Sequence, residues 1–149
     1  MRTSLRALLA SALLVGLTAS TAWAQPGQVL RLDGADDYVS FASHPAFDLS
    51  GDFTLEAWVY PTANQHAMVL STDDGTAGAY SLRVLENGRL NFDVRDSGAV
   101  TSGEGVVPLN AWSHIAAVHD AASDSTWLYL DGHRVTALLG HTPSASGQP

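Results

Sequence analysis

The sequence predicts an all-β sandwich, and two observations carry that prediction. Short runs rich in Val, Leu, Phe, Tyr and Trp recur about every ten residues, separated by Gly, Asp, Asn, Ser and Pro. After the first 24 residues, no stretch keeps a helical period for three turns. The predicted strands are residues 28–33, 38–41, 53–60, 67–71, 79–85, 90–95, 112–119 and 126–130, and residues 96–105 are predicted to form a polar loop.

The N-terminus has the pattern of a secretory signal peptide at residues 1–24. Arg2 and Arg6 precede an apolar run, and an A-x-A motif at 22–24 supplies the small residues of a cleavage site. The apolar run is shorter than the roughly 20 residues that a membrane helix needs. We therefore expect a secreted or periplasmic protein, with no lipid anchor because the sequence has no cysteine.

Composition restricts the partners of the remaining domain, residues 25–139, which a linker-like tail at 140–149 follows. Lysine is absent, and the chain has seven arginines, two of which leave with the signal peptide, against fifteen acids. Nucleic acids and anionic membranes bind through cations that neutralise phosphates, so this charge excludes both as partners. A secreted chain without disulfides also favours a bacterial origin over an animal matrix protein.

The hairpin around Asn87-Gly88 predicts its own register. A two-residue turn would leave the apolar residues of the two strands on opposite sides, whereas a three-residue loop at 86–88 with left-handed Gly88 aligns them. The apolar side is then Tyr80, Leu82, Val84, Leu90, Phe92 and Val94, in the pairs Val84–Leu90, Leu82–Phe92 and Tyr80–Val94. The opposite side, which we call the polar ladder, is Ser81, Arg83, Arg89, Asn91, Asp93 and Arg95, and is expected to be open to solvent or ligand.

Strand 53–60 alternates in the same way, with its apolar side directed at the core. Trp58 and Tyr60 fall on the other side, where aromatic rings are able to stack on a sugar. We favour the alternative in which a loop covers both rings. Strand 112–119 has no clearly polar side, which predicts a central strand covered on both sides.

Four blocks of the sequence are distinctive: L-R-L-D-G-A-D-D-Y-V at 30–39, D-F-T-L-E-A-W-V at 52–59, Y-S-L-R-V-L-E-N-G-R-L-N-F at 80–92 and N-A-W-S-H-I-A-A-V-H-D-A-A-S-D-S-T-W-L-Y-L-D-G at 110–132. Taken together and in this order, they resemble the laminin G-like family of concanavalin A-like jelly rolls. The resemblance implies a jelly-roll β-sandwich whose last strand lies beside its first. Because only 134–139 and a linker-like tail follow residue 132, the domain is expected to lack its C-terminal strands. Strand 28–33 would then keep an unpaired edge that favours dimerisation.

The resemblance also implies that calcium is a candidate cofactor, because related modules often hold this ion with loop aspartates. The candidate ligands are Asp73, Asp74, Asp120 and Asp124. Aspartates that merely suit turns are the favoured alternative at both loops. We also interpret Asp33, Asp36 and Asp37 as turn residues.

Catalytic patterns are missing from the sequence. Glucanases on the same jelly roll carry acids at alternate strand positions, but no two acids here stand two residues apart, and Glu56 has Thr54 and Trp58 at those positions. The chain has no G-x-S-x-G motif, no thiol and no histidines at zinc-binding spacing.

We therefore expect a secreted, non-catalytic module that binds a carbohydrate or an extracellular protein. The candidate ligand-binding residues are Trp58, Tyr60, Arg83, Asn91, Asp93 and Arg95. A fragment or structural spacer of a larger secreted protein is the alternative. A glycan hydrolase or lyase is the least favoured function, since it would require Glu56, Asp93 and Arg83 to converge in one cleft.

Overall fold

The computed structural model of the protein describes residues 27–72, 79–94 and 98–139, the last three of these by their backbone only. Residues 1–37 and 38–149 form separate units. The described part of the second unit contains strands β1 (Phe53–Val59), β2 (Ala67–Ser71), β3 (Tyr80–Leu85), β4 (Arg89–Val94), β5 (Gly98–Thr101), β6 (Ser113–Asp120), β7 (Ser125–Leu130) and β8 (His133–Leu139), with short 3-10 turns at Pro45–Phe47 and Glu86–Gly88. None of the helices in these ranges has the length and apolarity to cross a membrane.

The strands form two antiparallel sheets. The first sheet has the order β1-β6-β7-β8, and the second has the order β2-β3-β4-β5. Phe92 and Leu82 of the second sheet and Ile115 and Leu128 of the first are fully buried in one apolar cluster between them. The predicted all-β sandwich is confirmed.

The register predicted for the β3–β4 hairpin is also confirmed. Val84 pairs with Leu90, Leu82 with Phe92 and Tyr80 with Val94, and all six side chains are buried. Gly88 has a φ of 65°, a region that residues with a Cβ rarely adopt. A Cβ at this position would also lie 2.5 Å from the carbonyl oxygen of Val107, so glycine is required for two reasons.

The core-facing side predicted for β1 and the central position predicted for β6 are both found in the first sheet. The apolar residues of β1 pack against the core, and the alternate residues are exposed. β6 lies between β1 and β7, as expected of a central strand. Its outer side is covered only in part, because His114 and Val118 remain half-buried.

The structure corrects three strand predictions. Residues 28–33 and 38–41 form no strand, and their apolar side chains, such as Leu30 and Phe41, are exposed because no neighbouring strand pairs with them. The predicted unpaired edge at 28–33 is therefore not a sheet edge. The predicted loop 96–105 contains β5, whose short run of small residues offers little apolar pattern beyond Val100. Residues 1–24 and 140–149 lie outside the described chain.

Candidate functional site

The polar ladder lies on the outer side of the second sheet, and three of its side chains, Arg83, Asn91 and Asp93, contact one another. Arg83 Nη2 lies 2.8 Å from Asp93 Oδ2, and Arg83 Nε donates to Asn91 Oδ1 at 3.0 Å. Asn91 Nδ2 in turn donates to Thr101 Oγ1 at 2.8 Å. Ser81 and Asn91 are buried, so the expectation of an open ladder is wrong at these two positions, because their neighbours cover them. Arg95 lies outside the described residues.

Trp58 and Tyr60 lie on the outer side of the first sheet. Their exposed fractions are 65% and 44%. The described chain places no loop over them, which corrects the favoured expectation of a cover. β1 directs these rings away from the core because Leu55, Ala57 and Val59 occupy the alternate, core-facing positions.

Two residues that the sequence analysis did not select complete this surface. Trp58 is the register partner of His114, with ring centroids 5.4 Å apart and an angle of 52° between the planes. Tyr60 contacts Trp112 at 5.5 Å and 57°, and Trp112 is 49% exposed. We call Trp58, Tyr60, Trp112 and His114 the aromatic surface.

Backbone contacts hold both ring pairs in place. The Asn110 N–H donates to the Pro61 carbonyl at 2.8 Å, which ties the segment before Trp112 to the end of β1. The His114 N–H donates to Asp131 Oδ1 at 2.8 Å, and the Asp131 N–H donates back to the His114 carbonyl. The aromatic surface is therefore built on anchored backbone.

One carboxylate borders the Trp58–His114 pair. Glu56 Oε2 lies 3.5 Å from His114 Nε2, and the Glu56 side chain is 62% exposed. Glu56 precedes Trp58 by two residues, so both point to the same side of β1. This arrangement offers hydrogen-bond acceptors beside an exposed indole face.

The predicted ligand-binding residues do not form one site. Trp58 and Tyr60 face outward from the first sheet, whereas Arg83, Asn91 and Asp93 face outward from the second, with the core between. For the same reason, Glu56 does not converge with Arg83 and Asp93. The convergence required for a hydrolase or lyase is therefore not found.

The candidate calcium ligands that the structure describes serve turns. Asp120 Oδ1 accepts from the backbone of Ala122 at 2.9 Å and of Ser123 at 3.3 Å. Hydrogen bonds lower the pKa of Asp120. The largest contribution comes from the Ser123 side chain, and smaller ones come from the backbone N–H groups of Ser123 and Ala122. Asp124 has a φ of 47°, as residues of tight turns do. Asp73 and Asp74 lie outside the described residues.

A second aspartate turn lies in the first unit. Asp33 Oδ1 accepts from the backbone of Ala35 at 2.8 Å, and further from Asp36 and Asp37. The Ala35 bond is the main cause that lowers the pKa of Asp33. The ligand oxygens of Asp33, Asp36 and Asp37 lie within 4.8 Å of one another, and they are the only such group in the described chain. Asp33 thus stabilises a local bend, but the entry hairpin expected at this position does not form, because residues 28–33 and 38–41 are not strands.

The structure also contains a cavity of about 620 Å³ beside β1 and β2, which the sequence analysis missed. Its apolar lining is Tyr38, Val39, Phe41, Phe47, Leu55, Leu70 and Tyr80. Burial, and secondarily the charge of Asp48, raises the pKa of the Tyr80 hydroxyl. This lining suits apolar groups better than sugars, which need several polar partners.

Comparison with known protein families shows to which superfamily the chain belongs. The laminin G-type family model described as the concanavalin A-like lectin/glucanases superfamily matches residues 33–148. The chain belongs to this superfamily. The resemblance in the four sequence blocks is thereby confirmed.

Three solved structures are similar to the chain. The CBM40 of the Ruminococcus gnavus IT-sialidase has 12% identity and a TM-score of 0.48, with 60% of this chain and 53% of that chain covered. The same CBM40 bound to alpha2,3 sialyllactose has 12% identity and a TM-score of 0.49, and the match covers 66% of this chain and 68% of that chain. An S-layer domain-containing protein from Clostridium thermocellum has 23% identity and a TM-score of 0.46, and the match covers 80% of this chain and 56% of that chain. The chain thus spans about half the length of the first and third of these structures. No curated protein matches the sequence.

Proposed function

We propose that this protein is a non-catalytic carbohydrate-recognition module that binds its ligand on the aromatic surface. The observation that carries the proposal is the exposure of Trp58, 65% of its surface, within a row of ring pairs on a sheet. Large aromatic side chains are normally buried or engaged, and their faces attract the C–H groups of a pyranose ring. Membership of a superfamily that includes lectins agrees with this function.

The carboxylate of Glu56 supports the proposal. A sugar stacked on Trp58 presents its hydroxyl groups at the rim of the ring, where Glu56 and the half-buried His114 are able to exchange hydrogen bonds with them. Charge-assisted hydrogen bonds of this kind are stronger than neutral ones. The aromatic surface therefore combines an apolar platform with polar groups that fix orientation.

The polar ladder is the weaker candidate for the same function. The guanidinium of Arg83 already holds Asp93 and Asn91. A ligand that bound there would have to break these contacts and leave partly buried charges without partners, which costs free energy. We therefore assign the glycan to the first sheet.

The proposal has two further parts: the module is non-catalytic, and it is exported from the cell. Glycoside hydrolysis requires two carboxyl groups on either side of the scissile bond, about 5–9.5 Å apart, and Asp93 lies across the sandwich from Glu56. Export is inferred from the signal-peptide pattern at 1–24.

Calcium is proposed at the loops of Asp73 and Asp74 or of Asp120 and Asp124, where a bound ion would raise the melting temperature by mass action. Equal melting temperatures in excess calcium and in chelator would remove both sites.

A glycan array tests the function. The purified protein and its Trp58→Ala and Met68→Ala variants are applied with and without calcium. Met68 is the matched control, because it is an exposed apolar residue, at 53%, on the second sheet. We expect the wild type and the Met68 variant to bind the same glycans, and the Trp58 variant to lose them. If the wild type binds no glycan, the function is wrong and the spacer alternative gains. If the Trp58 variant binds fully, the assigned surface is wrong.

A further inference from the structure

The two ring pairs of the aromatic surface lie next to each other, the first on β1 and the second just beyond its end. Trp58 and Tyr60 are separated by one residue, so they lie on the same side of the chain and about 6.6–6.8 Å apart along it. Their partners, His114 and Trp112, are also separated by one residue: His114 lies on β6, and Trp112 directly precedes this strand. The surface is therefore a row of two adjacent ring pairs, each of which we call a platform.

Each platform keeps a ring face for a ligand. The planes are inclined at 52° in the Trp58–His114 pair and at 57° in the Tyr60–Trp112 pair, so neither pair is closed face to face. Trp58, Tyr60 and Trp112 are each at least 44% exposed. The distance between the platforms is of the same order as the rise per sugar in an extended glycan.

We infer that the aromatic surface binds two consecutive sugars of a neutral, linear, β-1,4-linked glycan that runs along β1, one sugar on each ring pair. The inference rests on the proposed function and adds the ligand class. β-1,4 linkage between equatorial positions gives an extended, flat ribbon, which matches a row of platforms on a sheet. A branched or helically coiled glycan would contact one platform only.

The charges near the surface favour a neutral chain. Glu56 places an exposed carboxylate beside Trp58. Arg134 is the one arginine in the strands of the first sheet, and β8 lies three strands from β1, about 14 Å away at the usual spacing between strands. At that distance a surface cation is largely screened. Uronate chains would therefore meet repulsion from Glu56, and the described strands of the first sheet place no arginine close enough to compensate it.

Calorimetric titration tests the inference with β-1,4-linked gluco-, manno- and xylo-oligosaccharides of one to four units, and with oligogalacturonate of four units. We expect the affinity for at least one neutral series to rise on the order of 10-fold from one unit to two. We expect little further gain beyond three units. Oligogalacturonate should bind at least about 10-fold more weakly than the neutral tetrasaccharide.

Variants separate the two platforms. Trp58→Ala and Trp112→Ala should each reduce the affinity for the disaccharide to that for the monosaccharide, whereas Met68→Ala should leave both affinities unchanged. Trp58→Phe keeps a smaller ring face and should give an intermediate affinity, which separates lost stacking from misfolding. Affinity that is independent of length, unaffected by Trp112→Ala, or higher for the uronate chain would overturn the inference while the function stands. If no glycan binds in either the array or the calorimeter, the function itself fails.

Discussion

Replacement of Gly88 by alanine tests the packing of the β3–β4 turn against the segment that follows β5. Gly88 has a φ of 65°, and a Cβ there would lie 2.5 Å from the carbonyl oxygen of Val107. A left-handed conformation costs a residue with a Cβ about 1–2 kcal/mol. The clash would also displace Val107, whose N–H donates to the Gly88 carbonyl at 2.8 Å, and loss of that bond costs about 0.5–1.5 kcal/mol. We expect Gly88→Ala to lower the free energy of unfolding by about 1.5–3.5 kcal/mol.

Two other glycines serve as controls for the two effects. Gly105 has a φ of 71° but open space at its Cβ position, so Gly105→Ala should cost the conformational part alone, about 1–2 kcal/mol. Gly103 has neither a positive φ nor a near neighbour, so Gly103→Ala should change the stability by less than about 0.5 kcal/mol. Urea unfolding gives the three values on one scale. If Gly88→Ala costs no more than Gly105→Ala, the close approach to Val107 is refuted.

Three further predictions concern single residues and activity. Because hydrogen bonds lower the pKa of Asp120 in the folded state, its stabilising contribution is present above the ordinary pKa of 3.8 and is lost as the pH falls through the lower, folded value. Asp120→Ala should therefore lower the melting temperature at pH 7 and reduce its fall between pH 4 and 2; an unchanged profile would contradict this role. Ser113 is fully buried, and its hydroxyl has no hydrogen-bond partner in the described chain, so Ser113→Ala should raise the stability by about 1 kcal/mol, and a loss of stability would show that the hydroxyl has a partner. We expect no release of reducing ends from β-glucans, and a release that disappears in Glu56→Gln would reverse the assignment as non-catalytic.

Local patterns in the sequence predicted the parts of the fold that depend on neighbouring residues. The β3–β4 hairpin is such a case, because the loop at 86–88 determines which residues of its own two strands face each other. Residues 28–41 have strand composition but no strand, because a strand also needs a partner, and composition does not supply one. β5 shows the opposite case, a strand without strand composition. It forms because Asn91 to Val94 of β4 provide a pairing partner, and its own sequence shows no strand pattern.

The candidate site could be predicted only in part. Alternation along β1 placed Trp58 and Tyr60 on the side away from the core, but it does not reveal on which sheet a strand lies. The predicted ligand-binding site therefore included both Trp58 and Tyr60 and residues of the polar ladder, which lie on opposite sides of the sandwich. Trp112 and His114 were missed because their contacts with Tyr60 and Trp58 join segments that are far apart in the sequence. Their position two residues apart, in phase with Trp58 and Tyr60, was the signal that could have revealed them.

The most direct test of glycan recognition on the aromatic surface is a ¹H–¹⁵N NMR titration that observes both sides of the sandwich in one sample. The indole N–H groups of Trp58 and Trp112 report on the first sheet, and the Arg83 Nε–H, which donates to Asn91, reports on the second. A neutral β-1,4-linked tetrasaccharide is added to saturation. We expect the signals of Trp58 and Trp112 to shift together along one saturable curve while that of Arg83 stays unchanged. A shift of Arg83 with both indole signals unmoved would contradict the account.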